Sequence, residues 1–170
     1  MLNWGWFVLN GQINLNILMK LIELFESITV RREANSESFM DDLVLYDGKN
    51  KIGTSAVFKD RYGSSPAFNI LFFGIDRAYR GKGLAEQGLL AVKRFMLRKD
   101  PAAKFVIAEV MSQKMLKTSI KVFGKPIYVS DEIKKYSLED AFSMLPLDST
   151  EDETGDVMGR KIYTVYKLKN

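Results

Sequence analysis

The residues best suited to chemistry lie in one run, Ile75-Asp76-Arg77-Ala78-Tyr79-Arg80-Gly81-Lys82-Gly83-Leu84-Ala85. A strand-like apolar stretch precedes it and a helical pattern follows it. Glycines permit close backbone approach and unusual dihedrals. The first amides of a helix have no partner within the helix and can hold an anion, helped by the dipole. Arg77, Arg80 and Lys82 add positive charge at the same place. This combination asks for a phosphate or pyrophosphate. Spacing narrows the choice. A Walker A loop needs four residues between its first glycine and a Gly-Lys-Ser/Thr end, and no such run exists. A dinucleotide fingerprint needs a third glycine where Glu86 stands.

What does fit is Arg/Gln-x-x-Gly-x-Gly/Ala, as Arg80-Gly81-Lys82-Gly83-Leu84-Ala85, with Tyr79 before the arginine and Ile75 ending the strand. On these residues the chain resembles the GCN5-related N-acetyltransferase (GNAT) superfamily, most clearly from about Asp41 to Gly124. An ordinary glycine turn with solvated basic residues is the plainer alternative. The resemblance implies acetyl-CoA as co-substrate, gripped at its pyrophosphate by the backbone of Arg80, Gly81, Lys82, Gly83, Leu84 and Ala85. It implies that the strand end at Phe73, Gly74 and Ile75 pairs with the pantetheine arm. An amide there would polarise the thioester carbonyl, since pre-aimed donors stabilise an oxyanion. The partner would be an amine acceptor, small molecule or protein, attacking directly.

The residues that should move protons match the family less well. Transfer to an amine needs a base for the amine and an acid for the departing thiolate. Where many relatives carry a glutamate on the long strand, this chain offers Asn69. Glu109, on the next strand, is the first candidate base, because burial would raise its pKa toward a useful value; an outward-facing strand residue is the plain alternative. Asp76 is the second candidate, with a turn-capping or pairing role as its alternative. Relatives place a tyrosine four residues before the glycine that closes the following helix, and here that position is Ile120. Ser119 is the adjacent hydroxyl and Tyr128 lies beyond the helix. The asparagine of the helix start corresponds to Gln113. A second reading follows from these gaps: a catalytically inactive GNAT fold used as an acyl-CoA-binding or regulatory module. Nucleic-acid binding through the basic turn ranks last.

The elements that must position these residues follow from periodicity. Trp4 to Leu9 reads as a short strand, and Ile17, Leu18, Leu21, Ile22 and Phe25 as the apolar stripe of a helix over Asn14 to Glu26. Ser27 to Ala34 is ambiguous. Leu43–Tyr46 and Ile52–Phe58 flank Asp47-Gly48-Lys49-Asn50 as a hairpin, with Ile52, Thr54, Ala56 and Phe58 on one face. Phe68 to Ile75 reads as a strand buried on both faces. Helices are expected at Leu84–Lys99, around Met115–Phe123 and at Leu138–Met144, and strands at Phe105–Val110, Ile127–Val129 and Arg160–Leu168. The expected fold is α/β: one domain over residues 1–170, its first forty residues divergent. A mixed, mostly antiparallel sheet would be splayed at the acyl-CoA site and flanked by helices.

Composition bounds the chemistry. The 170 residues are 46% hydrophobic and 27% charged, as in ordinary globular proteins. Cysteine and histidine are both absent, which removes thiol nucleophiles, disulfides and histidine bases or ligands, so no metal is expected. A net charge of +4 suits a phosphorylated cofactor. The apolar start lacks a basic region, and no apolar run reaches the roughly 18–20 residues of a membrane span. These features fit a cytoplasmic protein without a membrane partner. The acidic residues Asp148, Glu151, Asp152, Glu153 and Asp156 read as a solvated loop. Trp4, Trp6 and Phe7 are candidates for a substrate or homodimer surface, with covering the sheet as the simpler role.

Overall fold

The computed structural model describes residues 28–33, 39–148, 150–151, 157–158 and 160–168. The expected strand at Trp4–Leu9 and helix at Asn14–Glu26 lie outside them. Strands β1 (Ile28–Arg32), β2 (Met40–Asp47), β3 (Asn50–Tyr62) and β4 (Ser65–Ile75) form an antiparallel meander. A short 3-10 turn at Arg77–Tyr79 leads to helix α1 (Leu84–Lys99). Strand β5 (Phe105–Val110), helix α2 (Gln113–Phe123), strand β6 (Tyr128–Ser130) and helix α3 (Leu138–Met144) follow. A pair of two-residue antiparallel strands, β7 (Thr150–Glu151) with β8 (Val157–Met158), precedes β9 (Ile162–Lys167). The seven-stranded sheet has the order β1-β2-β3-β4-β5-β9-β6. Every neighbouring pair in it is antiparallel except β4–β5.

Sequence explains most of these boundaries. The Gly48-Lys49 turn closes the β2–β3 hairpin, and strands of unequal apolar content extend beyond the expected limits because pairing continues where side chains are polar. One expected face needs correction. A register shift beside Leu45 and Tyr46 leaves Ile52 as an extra residue, so Ile52 turns into the core while Thr54 stays on the opposite face. The ambiguous stretch after Ser27 becomes β1, which pairs with β2 from Ile28 to Arg32.

Helix α1 lies on one face of the sheet. Its buried residues, Gly88, Leu89, Ala91, Val92 and Met96, meet Leu43, Leu45, Phe68 and Ile70 in the main core. Burying a side chain such as Leu89 is worth about 1.5–3 kcal/mol. Gly88 sets how closely the helix docks: a Cβ there would stand 2.7 Å from Leu45 Cδ2 and 3.3 Å from Phe73 Cζ. At its C-terminal end Lys99 joins Arg32 on the buried carboxylate of Asp41, with Arg32 Nε 2.9 Å from Asp41 Oδ1. That ties β1, β2 and α1 together. Helix α2 packs on the same face through Phe123 and Ile120 and ends at Gly124, whose φ is 89°. A second cluster, built from Val110, Leu116, Val129, Ala141, Leu145 and Ile162, seats α3 against the far end of the sheet. Among the described residues no helix is long and apolar enough to cross a membrane.

Candidate active site

The site begins where two strands part. β4 and β5 pair in parallel from Ala67↔Phe105 to Ile70↔Ala108 and no further, although β4 continues to Ile75 and β5 to Val110. The two ends diverge into a fork. β4 also carries a bulge at this point: Ala56 faces Phe72 and Val57 faces Ile70, which leaves Leu71 as the extra residue. A bulge bends the strand and re-aims its side chains. Leu71 and Phe72 are accordingly 43% and 46% exposed. The expectation of a strand buried on both faces from Phe68 to Ile75 therefore holds at Phe68, Ile70 and Ile75 and fails at Leu71 and Phe72, where the bulge re-aims the side chains. Ser55 Oγ donates to Phe72 O at 2.8 Å and braces the bulged segment.

Beyond Ile75 the chain reverses. The Asp76 amide donates to Ile52 O and its carbonyl accepts from Tyr79 N, so its backbone organises the turn, while its exposed side chain caps nothing. Arg80 folds back to donate from Nε to Ile75 O at 2.9 Å, fastening the loop to the end of β4. Lys82 Nζ lies 5.3 Å from the centre of the Tyr79 ring. Gly81 and Gly83 have φ of 80° and 74°, and Gly83 is the N-cap of α1. A Cβ at either would meet nothing within 4 Å, so glycine is required there by backbone conformation, with space left beside it. None of the amides from Gly81 to Ala85 donates to a carbonyl in the described turns and loops, and first-turn helix amides have no partner within the helix. They are available to an anion. Beside them Asp76, Arg77 and Arg80 line an open cleft of about 200 Å³ with Thr54, Phe72 and Gly74. Phe73, Gly74 and Ile75, the expected pantetheine-binding residues, form the free end of β4 along the fork. The expected cofactor residues are thus brought together.

The candidate proton-handling residues are not brought together. Glu109 is the first residue of β5 past the last rung shared with β4, so it stands at the base of the fork. Its side chain is 13% exposed and its Oε2 lies 3.4 Å from Lys161 Nζ. Tyr163 is its partner across β5–β9; burial pushes the Tyr163 phenol up, and the charges of Glu109 and Glu132 push it further. Asp76 lines the cleft beside Arg77 and Arg80, which Glu109 does not reach. Ser119 is in neither place. It is fully buried in the core beside the Tyr166 phenol, whose pKa burial raises, and the two hydroxyls make no well-formed hydrogen bond. A helix residue one step from Ile120 was bound to turn inward, because α2 buries the stripe Leu116, Ser119 and Phe123.

Gln113 is also turned away from the fork. Its Nε2 donates to Leu145 O at 3.0 Å, while the amides of Gln113 and Lys114 donate to Pro146 O and Leu147 O. Ser112 Oγ accepts from Met115 N at 3.2 Å. Asp148 of the acidic stretch pairs with Lys114 at 2.6 Å, which adds to this closure. Asn69 faces Asp60, its Nδ2 donating to Oδ2 at 3.4 Å. Sequence reasoning missed Leu71, Lys161 and Tyr163. The bulge leaves no mark in a continuous apolar run, and the other two reach Glu109 only through β5–β9 pairing across more than fifty residues. Among the described residues no group of three or more Asp and Glu side chains is placed to hold a metal ion.

No protein-family model matches the sequence, nor does any curated protein. Solved structures do match. The IAA acetyltransferase from Bacillus cereus ATCC 14579 superposes with a TM-score of 0.54 at 14% identity, covering 84% of this chain and 100% of that one. The Bacillus subtilis acetyltransferase in complex with CoA gives 0.54 at 11% identity, covering 84% and 99%. A GNAT family acetyltransferase from Elizabethkingia anophelis with acetyl-CoA bound gives 0.53 at 11% identity, covering 84% and 99%. At these identities the likeness is one of fold. The forked sheet, its strand order and the glycine loop at the start of α1 together give this chain the GNAT fold.

Proposed function

We propose that the chain is an acetyl-CoA-dependent N-acetyltransferase that moves the acetyl group to a primary amine by direct attack. The observation that carries this reading is the junction of the β4–β5 fork with an N-terminus of α1 whose leading amides have no well-formed backbone partner among the described residues. A pyrophosphate at Gly81–Ala85 would sit on the positive end of the helix dipole, among Arg77, Arg80 and Lys82. The pantetheine arm would run along the free edge of β4 past Ile75, Gly74 and Phe73, taking the place β5 vacates. The thioester would then lie near the bulge, across the fork from Glu109. Glu109 takes the proton from the attacking amine. Asp76, in the cleft with Arg77 and Arg80, is the alternative base. Two of the structures of like fold hold CoA or acetyl-CoA, which supports the cofactor. A cytoplasmic setting, where that cofactor is available, belongs to the same reading.

Mass spectrometry of small molecules released from the purified protein, followed by a thiol-release assay against amines, peptides and aminoglycosides, tests it. CoA or acetyl-CoA in the first step and acceptor-dependent thiol release in the second are expected. Absence of acetyl-CoA binding would sink the reading.

A second reading has its own support. Ser119 is enclosed in the core and Gln113 is engaged by Leu145, so α2 brings no polar side chain of those two to the fork. An acyl-CoA-binding module without turnover would look like this. Tight CoA binding with no thiol release across the panel is its signature.

A further inference from the structure

Lys161 is a primary amine held against the carboxylate of Glu109. It lies just before β9, two residues from Tyr163, and alternate strand residues share a face, so Lys161 and Tyr163 flank Glu109 on the same side of the sheet. Lys161 Nζ is 3.4 Å from Glu109 Oε2. The carboxylate is nearly enclosed at 13% exposure, whereas the lysine is 53% exposed and reaches it from outside. Glu132 adds a second negative charge near Tyr163. Glu109 is itself the first β5 residue beyond the last rung with β4, and adjacent strands stand only about 4.8 Å apart at such a rung. The long, flexible lysine stem therefore brings a primary amine beside a carboxylate at the base of the fork.

We propose that Lys161 is an internal acceptor, acetylated by the chain itself from acetyl-CoA held in the fork. This rests on the acetyltransferase reading given above. Glu109 removes one proton from the Nζ ammonium and passes it to solvent. The neutral amine attacks the thioester carbonyl carbon, a C–N bond forms and the C–S bond breaks. The nitrogen's second proton leaves with the thiolate, so the products are Nε-acetyl-lysine, CoA thiol and one proton. Acetylation removes the lysine's charge and with it the ion pair to Glu109.

The test uses the full chain incubated with acetyl-CoA, peptide mass spectrometry giving the acetylated fraction at each lysine over time. Lys117 and Lys125, both exposed, are the internal references. Lys161 is expected to be acetylated at least about tenfold faster than either, at a rate unchanged when the protein is diluted. Glu109→Gln should remove the excess while calorimetric titration shows acetyl-CoA still bound. Lys161→Arg should abolish the signal without labelling another lysine in its place. Labelling of Lys161 no faster than the references, in protein that binds acetyl-CoA, overturns the self-acetylation and leaves the acetyltransferase reading standing. Protein that binds no acetyl-CoA overturns both.

Discussion

Two helices in this chain begin beside the forked sheet, and their N-termini have opposite fates. Helix α1 starts at Gly83 with no side-chain cap, and among the described residues its leading amides have no well-formed backbone partner. Helix α2 starts at Ser112, whose hydroxyl holds the Met115 amide, and its next amides are held by the carbonyls of Pro146 and Leu147. The dipole argument applies equally to both, yet among the described residues only the α1 end is left without carbonyl partners. A helix N-terminus offers an anion site only where the rest of the chain has not already satisfied it. The difference arises in the long connection between β6 and β9, which carries α3 and returns its 145–147 segment over the start of α2.

The sharpest way to separate the two halves is Glu109→Gln. If α2 supplies no proton carrier, the carboxylate at the fork carries the base role alone, and turnover should fall by about 10²–10⁴-fold. Affinity for acetyl-CoA should hardly change, which calorimetric titration alongside the thiol assay would check. The open end of α1 can be broken directly. Gly83→Glu places a side chain at a φ of 74°, at a cost of about 1–2 kcal/mol that the loop escapes by abandoning the geometry that aims its amides. Its carboxylate also repels the pyrophosphate. Acetyl-CoA binding should weaken by about 100-fold, with the circular dichroism spectrum retained. Unchanged binding would remove the pyrophosphate from this loop.

The closed end of α2 answers to stability instead. Ser112→Ala leaves the Met115 amide without its acceptor in a buried place and should cost about 1 kcal/mol, seen as a lower urea midpoint at unchanged m. Acetyl-CoA affinity should stay the same; a loss there would mean that this helix start also serves the ligand. The smallest effect concerns the strap before α3. Tyr136 above all, with the Lys134 and Ile133 amides and Arg160, holds the Asp131 carboxyl well below the usual carboxylate range. A carboxyl depressed in the folded state stabilises fully above its unfolded pKa of about 3.9, and that stability is lost as pH falls further through the folded value. Tyr136→Phe removes the largest cause, so the acid-unfolding midpoint should move to higher pH.

How much of this was legible in the chain differs between the same two regions. The limits of α1, β5 and α3 could be read from local patterns, because a stripe at 3.6-residue spacing and a Pro or Gly stop are written into neighbouring residues. The glycine loop was legible for the same reason: the backbone conformation of Arg80 to Ala85 is set by adjacent residues. Ser119 was misplaced because its orientation depends on which stripe α2 buries. Gln113 and Lys161 depend on partners more than thirty and more than fifty residues away, at Leu145 and Glu109. The bulge at Leu71 was invisible, since register is a property of two strands at once.

By itself, then, the order of residue types determined that a cationic, glycine-bearing turn leads from an apolar strand into a helix, with no cysteine or histidine to do the chemistry. Backbone conformation and helix polarity are local, and a few adjacent residues suffice to specify them. Only the tertiary structure decided that β4 and β5 part after Ile70 and Ala108, that Glu109 lands at the parting with Lys161 against it, and that one helix start is left open while the other is closed. Those outcomes depend on which distant strands and carbonyls reach the same place, and packing of the whole sheet settles that.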